Sequence, residues 1–237
     1  YDMKKSKIAW IVGMVFALVL SLSGSVYAGF YFESEQSTVG VPGQSPGKKL
    51  IKTYLTDNFS RTEQDDSITI MDYKTMTSYE LNPDNKTYTR NDMTKLQGMG
   101  EMKGASEAQM QRIAKQMADS ISIVRTDETK TIAGYDCRKY DVQFMMATGV
   151  YWVTKDIKGY DELRKLTLDM AKAFDKNPMM KQMNMMAIMA QMDGFPVKTI
   201  MNVMGGRIIT TVKNVEEKSL DSALFEVPKG YALVQNQ

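Results

Sequence analysis

Residues 50–90 read LIKTYLTDNFSRTEQDDSITIMDYKTMTSYELNPDNKTYTR. Five short runs rich in Thr, Tyr and Ile stand out in it: Leu50–Leu55, Asn58–Thr62, Ser67–Asp72, Thr75–Leu81 and Lys86–Arg90. Turn residues separate them, most plainly Asn82-Pro83-Asp84-Asn85, where proline presets φ and the Asn and Asp side chains bond their own backbone. Strands joined by such short links have no room for crossover helices, so they must run up and down as an antiparallel meander.

Outward from this stretch the pattern changes twice. On the N-terminal side, Gly29–Thr38 alternates as a further strand, with Phe30, Phe32 and Ser34 on one side and Tyr31 and Glu33 on the other, before the Gly/Pro loop 40–47. On the C-terminal side, Ser106 and Gln109 have capping-box spacing. Behind them Met110, Ile113, Ala114, Met117, Ala118 and Ile121 repeat at helical intervals, the mark of an amphipathic helix with one apolar face. Strands resume over Ile121–Thr126, Cys137–Phe144 and Val150–Thr154. A second helix is expected from Tyr160 to Lys176, with Leu163, Leu166, Met170 and Phe174 on one stripe. Asn177-Pro178 supplies a cap and a first helical residue, so the following run 179–192, MMKQMNMMAIMAQM, reads as a third helix that ends at Gly194. Two last strands, Pro196–Val203 and Arg207–Val215, follow. Strands, helix, strands, helical hairpin and strands make an α+β domain, with helices covering one face of the sheet.

The composition narrows the chemistry. Of 237 residues none is histidine and one, Cys137, is cysteine. That removes imidazole-based triads and imidazole metal sites, and it leaves Cys137 as a small buried residue rather than an activated thiol. Ser45 fits the letters of two serine-enzyme patterns, GxSxG and SxxK, but the required partner motifs are missing and the stretch is a loop. The start of the chain has a secretory pattern: Lys4, Lys5 and Lys7, an uncharged run from Ile8 to Leu22, and Val26-Tyr27-Ala28 as a small-residue cleavage site. Residues 1–28 are therefore expected to be a cleaved signal peptide, the alternative being an uncleaved N-terminal anchor, and residues 29–237 one domain, periplasmic or secreted. Without residues 1–28 the basic and acidic residues balance, which offers nothing to nucleic acid.

Four stretches carry a resemblance. They are Thr131-Ile132-Ala133-Gly134-Tyr135-Asp136-Cys137-Arg138-Lys139-Tyr140, Val150-Tyr151-Trp152-Val153-Thr154-Lys155, Asp193-Gly194-Phe195-Pro196-Val197 and Leu224-Phe225-Glu226-Val227-Pro228-Lys229-Gly230-Tyr231. In order and spacing they resemble an uncharacterised family of exported bacterial proteins related to the outer-membrane lipoprotein carriers (LolA-like). The resemblance implies a strongly curved antiparallel sheet, an open half-barrel, with about three helices over its concave face. It also implies an apolar ligand in the hollow; the missing catalytic groups, with the fold, make enzymatic activity unexpected.

Seven of the chain's 21 methionines fall in residues 179–192. Met180, Met183, Met186, Met189 and Met192 recur every third residue, and each step falls about 60° short of a turn, so the five trace a slow spiral. Such a helix is apolar over most of its circumference and is buried on several sides or shields a cavity. Three uses remain open: core packing by a flexible side chain, an adaptable lining for a hydrophobic molecule or lipid, or soft thioether donors for Cu(I). The expected cavity lining is Met110, Met117, Leu166, Met170, Met183, Met186 and Trp152; the Cu(I) alternative would use Met180, Met183 and Met186. No resident cofactor is expected. A partner protein of the envelope, docked on the helices, is a further alternative.

Overall fold

The meander forms where the turn residues place it. β1 (Val26–Val39) pairs with β2 (Gly47–Leu55), and β3 (Phe59–Gln64), β4 (Ser67–Asp72), β5 (Thr77–Asn82) and β6 (Thr87–Asp92) follow as successive antiparallel neighbours. The computed structural model describes residues 26–94, 106–144, 147–177, 180–181 and 190–235. Helix α1 (Glu107–Asp119) leads to β7 (Ser122–Ile132), β8 (Tyr135–Phe144) and β9 (Ala147–Thr154). Helix α2 (Tyr160–Ala173) and a 3-10 turn (Phe174–Lys176) precede β10 (Phe195–Val203) and β11 (Gly206–Asp221). A second 3-10 turn (Ser222–Phe225) and β12 (Ala232–Leu233) complete the described chain.

All twelve strands join one sheet in the order β12-β6-β5-β4-β3-β2-β1-β11-β10-β9-β8-β7. Every pairing is antiparallel except β12 on β6. The sheet is not closed: β12 and β7 are its two edges. The long β1 and β11 lie side by side at the middle, and residues 93–121 carry the chain from β6, beside one edge, to β7 at the other. Two hairpins turn on a residue pair with positive φ, Ala133-Gly134 (51° and 85°) and Met204-Gly205 (51° and 80°). That geometry matches the right-handed strand twist.

The capping box at α1 is present as the spacing required: the Gln109 amide donates to Ser106 Oγ at 3.3 Å and the Ser106 amide donates to Gln109 Oε1 at 2.7 Å. Asn177 caps as expected too, its Oδ1 accepting from the Met180 amide at 3.2 Å. The described residues contain two α-helices, not the three expected. Residues 180–181 and 190–191, at the ends of the methionine run, are helical; residues 182–189 lie outside the described residues. β1 starts at Val26 rather than Gly29, with Val26, Tyr27 and Ala28 opposite Asp221, Leu220 and Ser219, so the expected cleavage point falls inside this strand.

Two apolar clusters lie on opposite faces. Strand side chains alternate in direction, so β1 serves both. Phe30 and Phe32 point to one face and, with Leu55 and Ile157, receive Leu163, Leu166 and Met170 of α2. Tyr27 points to the other face, where Tyr54, Phe59, Ile70, Leu81 and Leu220 are capped by Leu224 and Phe225 of the C-terminal segment.

Candidate functional site

On the helix-covered face, the aromatic floor is ordered by close stacking. Phe30 and Phe32 stack at 6.3 Å between centroids, and Phe195, the first residue of β10, stacks on Phe32 at 5.3 Å. Gly194 makes this possible: its φ is 157°, and a Cβ there would lie 3.0 Å from the Thr154 carbonyl oxygen and from Val153. The chain entering β10 thus presses onto β9 and aims Phe195 under the helix.

α2 rests on this floor through Leu163, which is 2% exposed, and through Leu166 and Met170. Beside that contact the packing is incomplete. A cavity of about 240 Å³ lies between α2 and the start of β10, lined by Tyr160, Leu163, Arg164, Thr167, Leu168, Met192, Gly194, Phe195 and Pro196. Thr167 does not make it polar, because its hydroxyl donates back to the Leu163 carbonyl at 2.9 Å. Burial pushes the Tyr160 phenol up from its ordinary value, despite the opposing charges of Arg164 and Lys155.

A second, polar cavity of about 320 Å³ adjoins it through Asp193, with Arg125, Arg138, Tyr140, Lys155 and Asp136 among its walls. Asp193 is the hub. Its carboxylate accepts from Lys155 Nζ at 2.5 Å and lies 3.9 Å from Arg164 Nη1, and its amide donates to the Tyr140 hydroxyl at 3.4 Å. The Lys155 hydrogen bond, then the charges of Lys155, Arg164 and Arg125, hold this carboxyl below the usual aspartate range. Cys137, in the same wall, is 2% exposed, and burial pushes its thiol up. Ser45 sits exposed in the loop between β1 and β2.

The residues expected to line the hollow are dispersed. Leu166 and Met170 pack into the Phe30 cluster, and Leu166 faces a separate cavity of about 420 Å³ beside Val26, Glu162 and Glu217. Met117 belongs with Ile121, Phe144 and Met180 to a third apolar cluster. Met183, Met186 and the Met110 side chain lie outside the described residues, so Met180 is the one described member of the Cu(I) set. Trp152 requires a correction. It stands opposite Lys139 and Lys198, whereas Tyr151 stands opposite Tyr140 and Thr199 on the helix side. Alternation therefore puts Trp152 on the face away from α2. Arg164, Thr167 and Leu168 gave no sequence signal, because they flank the apolar stripe of their helix; Gly194-Phe195-Pro196 was visible only as part of a motif.

Residues 45–231 match the DUF4412 family, described as a domain of unknown function. No protein of curated function matches the chain. Many solved structures are similar at low scores, three of them as follows. PNGF-II matches at 14% identity and TM-score 0.41 over 88% of this chain, which spans 31% of the PNGF-II chain. The LolA superfamily protein NE2245 from Nitrosomonas europaea matches at 9% identity and TM-score 0.34, over 84% of this chain and 90% of its own. A DUF1329 family protein from Desulfovibrio piger matches at 12% identity and TM-score 0.35, over 84% of this chain and 90% of its own. Likenesses this distant carry no argument about ligand or mechanism.

Proposed function

The chain belongs to the DUF4412 family, and from that premise we propose that it is a non-enzymatic binding protein of the cell envelope that holds a lipid or other apolar molecule under α2. The observation that supports this reading is the cavity between α2 and the start of β10. An ordinary core is packed to crystal-like density with few voids larger than a water molecule. Here Leu163, Leu168, Met192, Phe195 and Pro196 leave about 240 Å³ between them, next to a well-stacked phenyl floor. Ligand sites have this character, mostly apolar with a few polar groups at the rim. The secretory pattern of residues 3–28 supports the envelope as the place of action. The lack of histidine supports a role without catalysis, as does the buried state of Cys137.

The test is direct. Native mass spectrometry of gently purified protein is expected to reveal a co-purifying apolar molecule, or the protein is expected to take up an environment-sensitive apolar dye. Replacing half-buried Leu168 by Asp puts a charge in the cavity wall and should weaken uptake about tenfold or more, because an unpaired buried charge is costly. Absence of any bound molecule together with no dye uptake would sink the reading.

A further inference from the structure

We propose that the molecule held under α2 carries an anionic head, a carboxylate or a phosphate, which docks on Arg164 at the mouth of the cavity. The inference rests on the reading of that cavity as an apolar binding site. Arg164 is the one charged side chain in its described lining. Its carboxylate partner, Asp193, lies 3.9 Å away and is already held by Lys155 at 2.5 Å. Both Arg164 and Asp193 are nearly half exposed, at 46% and 41%, and a long, solvated pair of that kind contributes little. A guanidinium offers five donors in a planar fork that matches a carboxylate or phosphate edge. Among the described residues this one distant contact leaves most of that capacity unused.

Further cations line the adjoining wall. Arg125, Arg138 and Lys155 face the adjoining polar cavity, against Asp136 and Asp193. Asp136 is occupied in turn by the Thr131 hydroxyl at 2.9 Å. Arg125, Arg138, Lys155 and Arg164 thus stand near the mouth of an apolar pocket, with Asp136 and Asp193 in the same wall and Asp156 and Asp161 close by. A chain lying between Leu168 and Phe195 would place its end group against Arg164, within reach of a bidentate contact. The volume is below the roughly 300–1,000 Å³ of drug-sized pockets, which suits one slender chain.

Four probes sharing one chain separate the possibilities by titration calorimetry on the purified protein: tetradecanoate, tetradecyl phosphate, tetradecanol and tetradecyltrimethylammonium. One or both anions should bind about tenfold or more tighter than the alcohol, the size expected of a charge-assisted hydrogen bond; which anion binds better identifies the head. Arg164→Gln should abolish the preference of the anions over the alcohol. Asp193→Asn, which removes the competing carboxylate, should widen it. Equal binding of alcohol and anions, tightest binding of the ammonium, or a preference that survives Arg164→Gln overturns the anionic head and leaves the apolar site standing. Failure of all four to bind overturns both.

Discussion

The two halves of the sheet are covered on opposite faces, and by different means. From β2 to β6, apart from Leu55 under α2, the buried apolar side chains of the strands point away from the helices and are sealed by the protein's own C-terminal segment. Phe225 stacks on Phe59 at 5.5 Å and meets Tyr27 edge-on at 5.9 Å. Ile70, Leu81 and Leu220 beneath it are 1–2% exposed. The seal is fastened by Arg61, whose Nη1 donates to the Leu224 carbonyl at 2.9 Å, and by β12 on β6. On the opposite face of the same strands, the row Thr53, Thr62, Thr69, Glu80 and Thr89 runs in register. Toward β10 the arrangement reverses: the helix side is apolar, and α2 covers it without filling it. A cover that interlocks provides stability; a cover that leaves a cavity leaves room for a ligand. β1 joins the two because its alternate residues serve one core each.

If that division is right, breaking the seal should cost stability and spare binding. Phe225→Ala is expected to have the largest effect, about 3–5 kcal/mol, the usual range for a buried Phe truncation. Denaturant unfolding followed by circular dichroism would measure it, and the folded fraction should still take up an apolar probe. Leu163→Ala comes next, at about 2–4 kcal/mol, and should differ in kind: by enlarging the space under α2 it should also change probe affinity. An unchanged affinity would put the ligand elsewhere. Gly149→Ala should cost less, about 1–2 kcal/mol. Its Cβ would lie 2.3 Å from Met201 Sδ and 3.2 Å from the Ile200 carbonyl oxygen, but the thioether is a flexible end that can swing aside. Thermal unfolding read by Trp152 fluorescence would detect it, because this tryptophan lies on β9 itself.

Most of the sheet was legible because its information is local. Closely spaced strands, Asn82-Pro83-Asp84-Asn85, and the Ser106–Gln109 box each act within a few residues, and each appears where expected within two or three positions. The site was less legible because it depends on register. Whether Trp152 or Tyr151 faces the helices is decided by pairing with Lys198 and Thr199, which follows a bulge between Pro196 and Lys198. A single shift of that kind reverses every side chain beyond it. Arg164 is invisible for another reason: on a helix an exposed arginine beside an apolar stripe is the ordinary pattern, and its significance comes from Asp193 and Lys155, brought close by the fold.

The smallest expected effect distinguishes the two halves by pH. The Asp193 carboxyl titrates below its ordinary value because Lys155, Arg164 and Arg125 favour its charged form. A lowered folded value means that the stabilisation is complete above the unfolded aspartate range, about pH 4, and is lost as pH falls through the folded value. Because Asp193 is 41% exposed, solvent and salt screen the interaction, and less than about 1 kcal/mol is at stake. Wild type and Asp193→Asn should therefore differ in stability at neutral pH and converge below about pH 4. The loss should be local, in Trp152 fluorescence and in hydrogen exchange of the β9–β10 amides, while amides of β4 and β5 under the Phe225 seal keep their protection. An equal loss in both places would mean that the halves unfold as one unit, and that the division between a sealed half and an open half describes packing without describing stability.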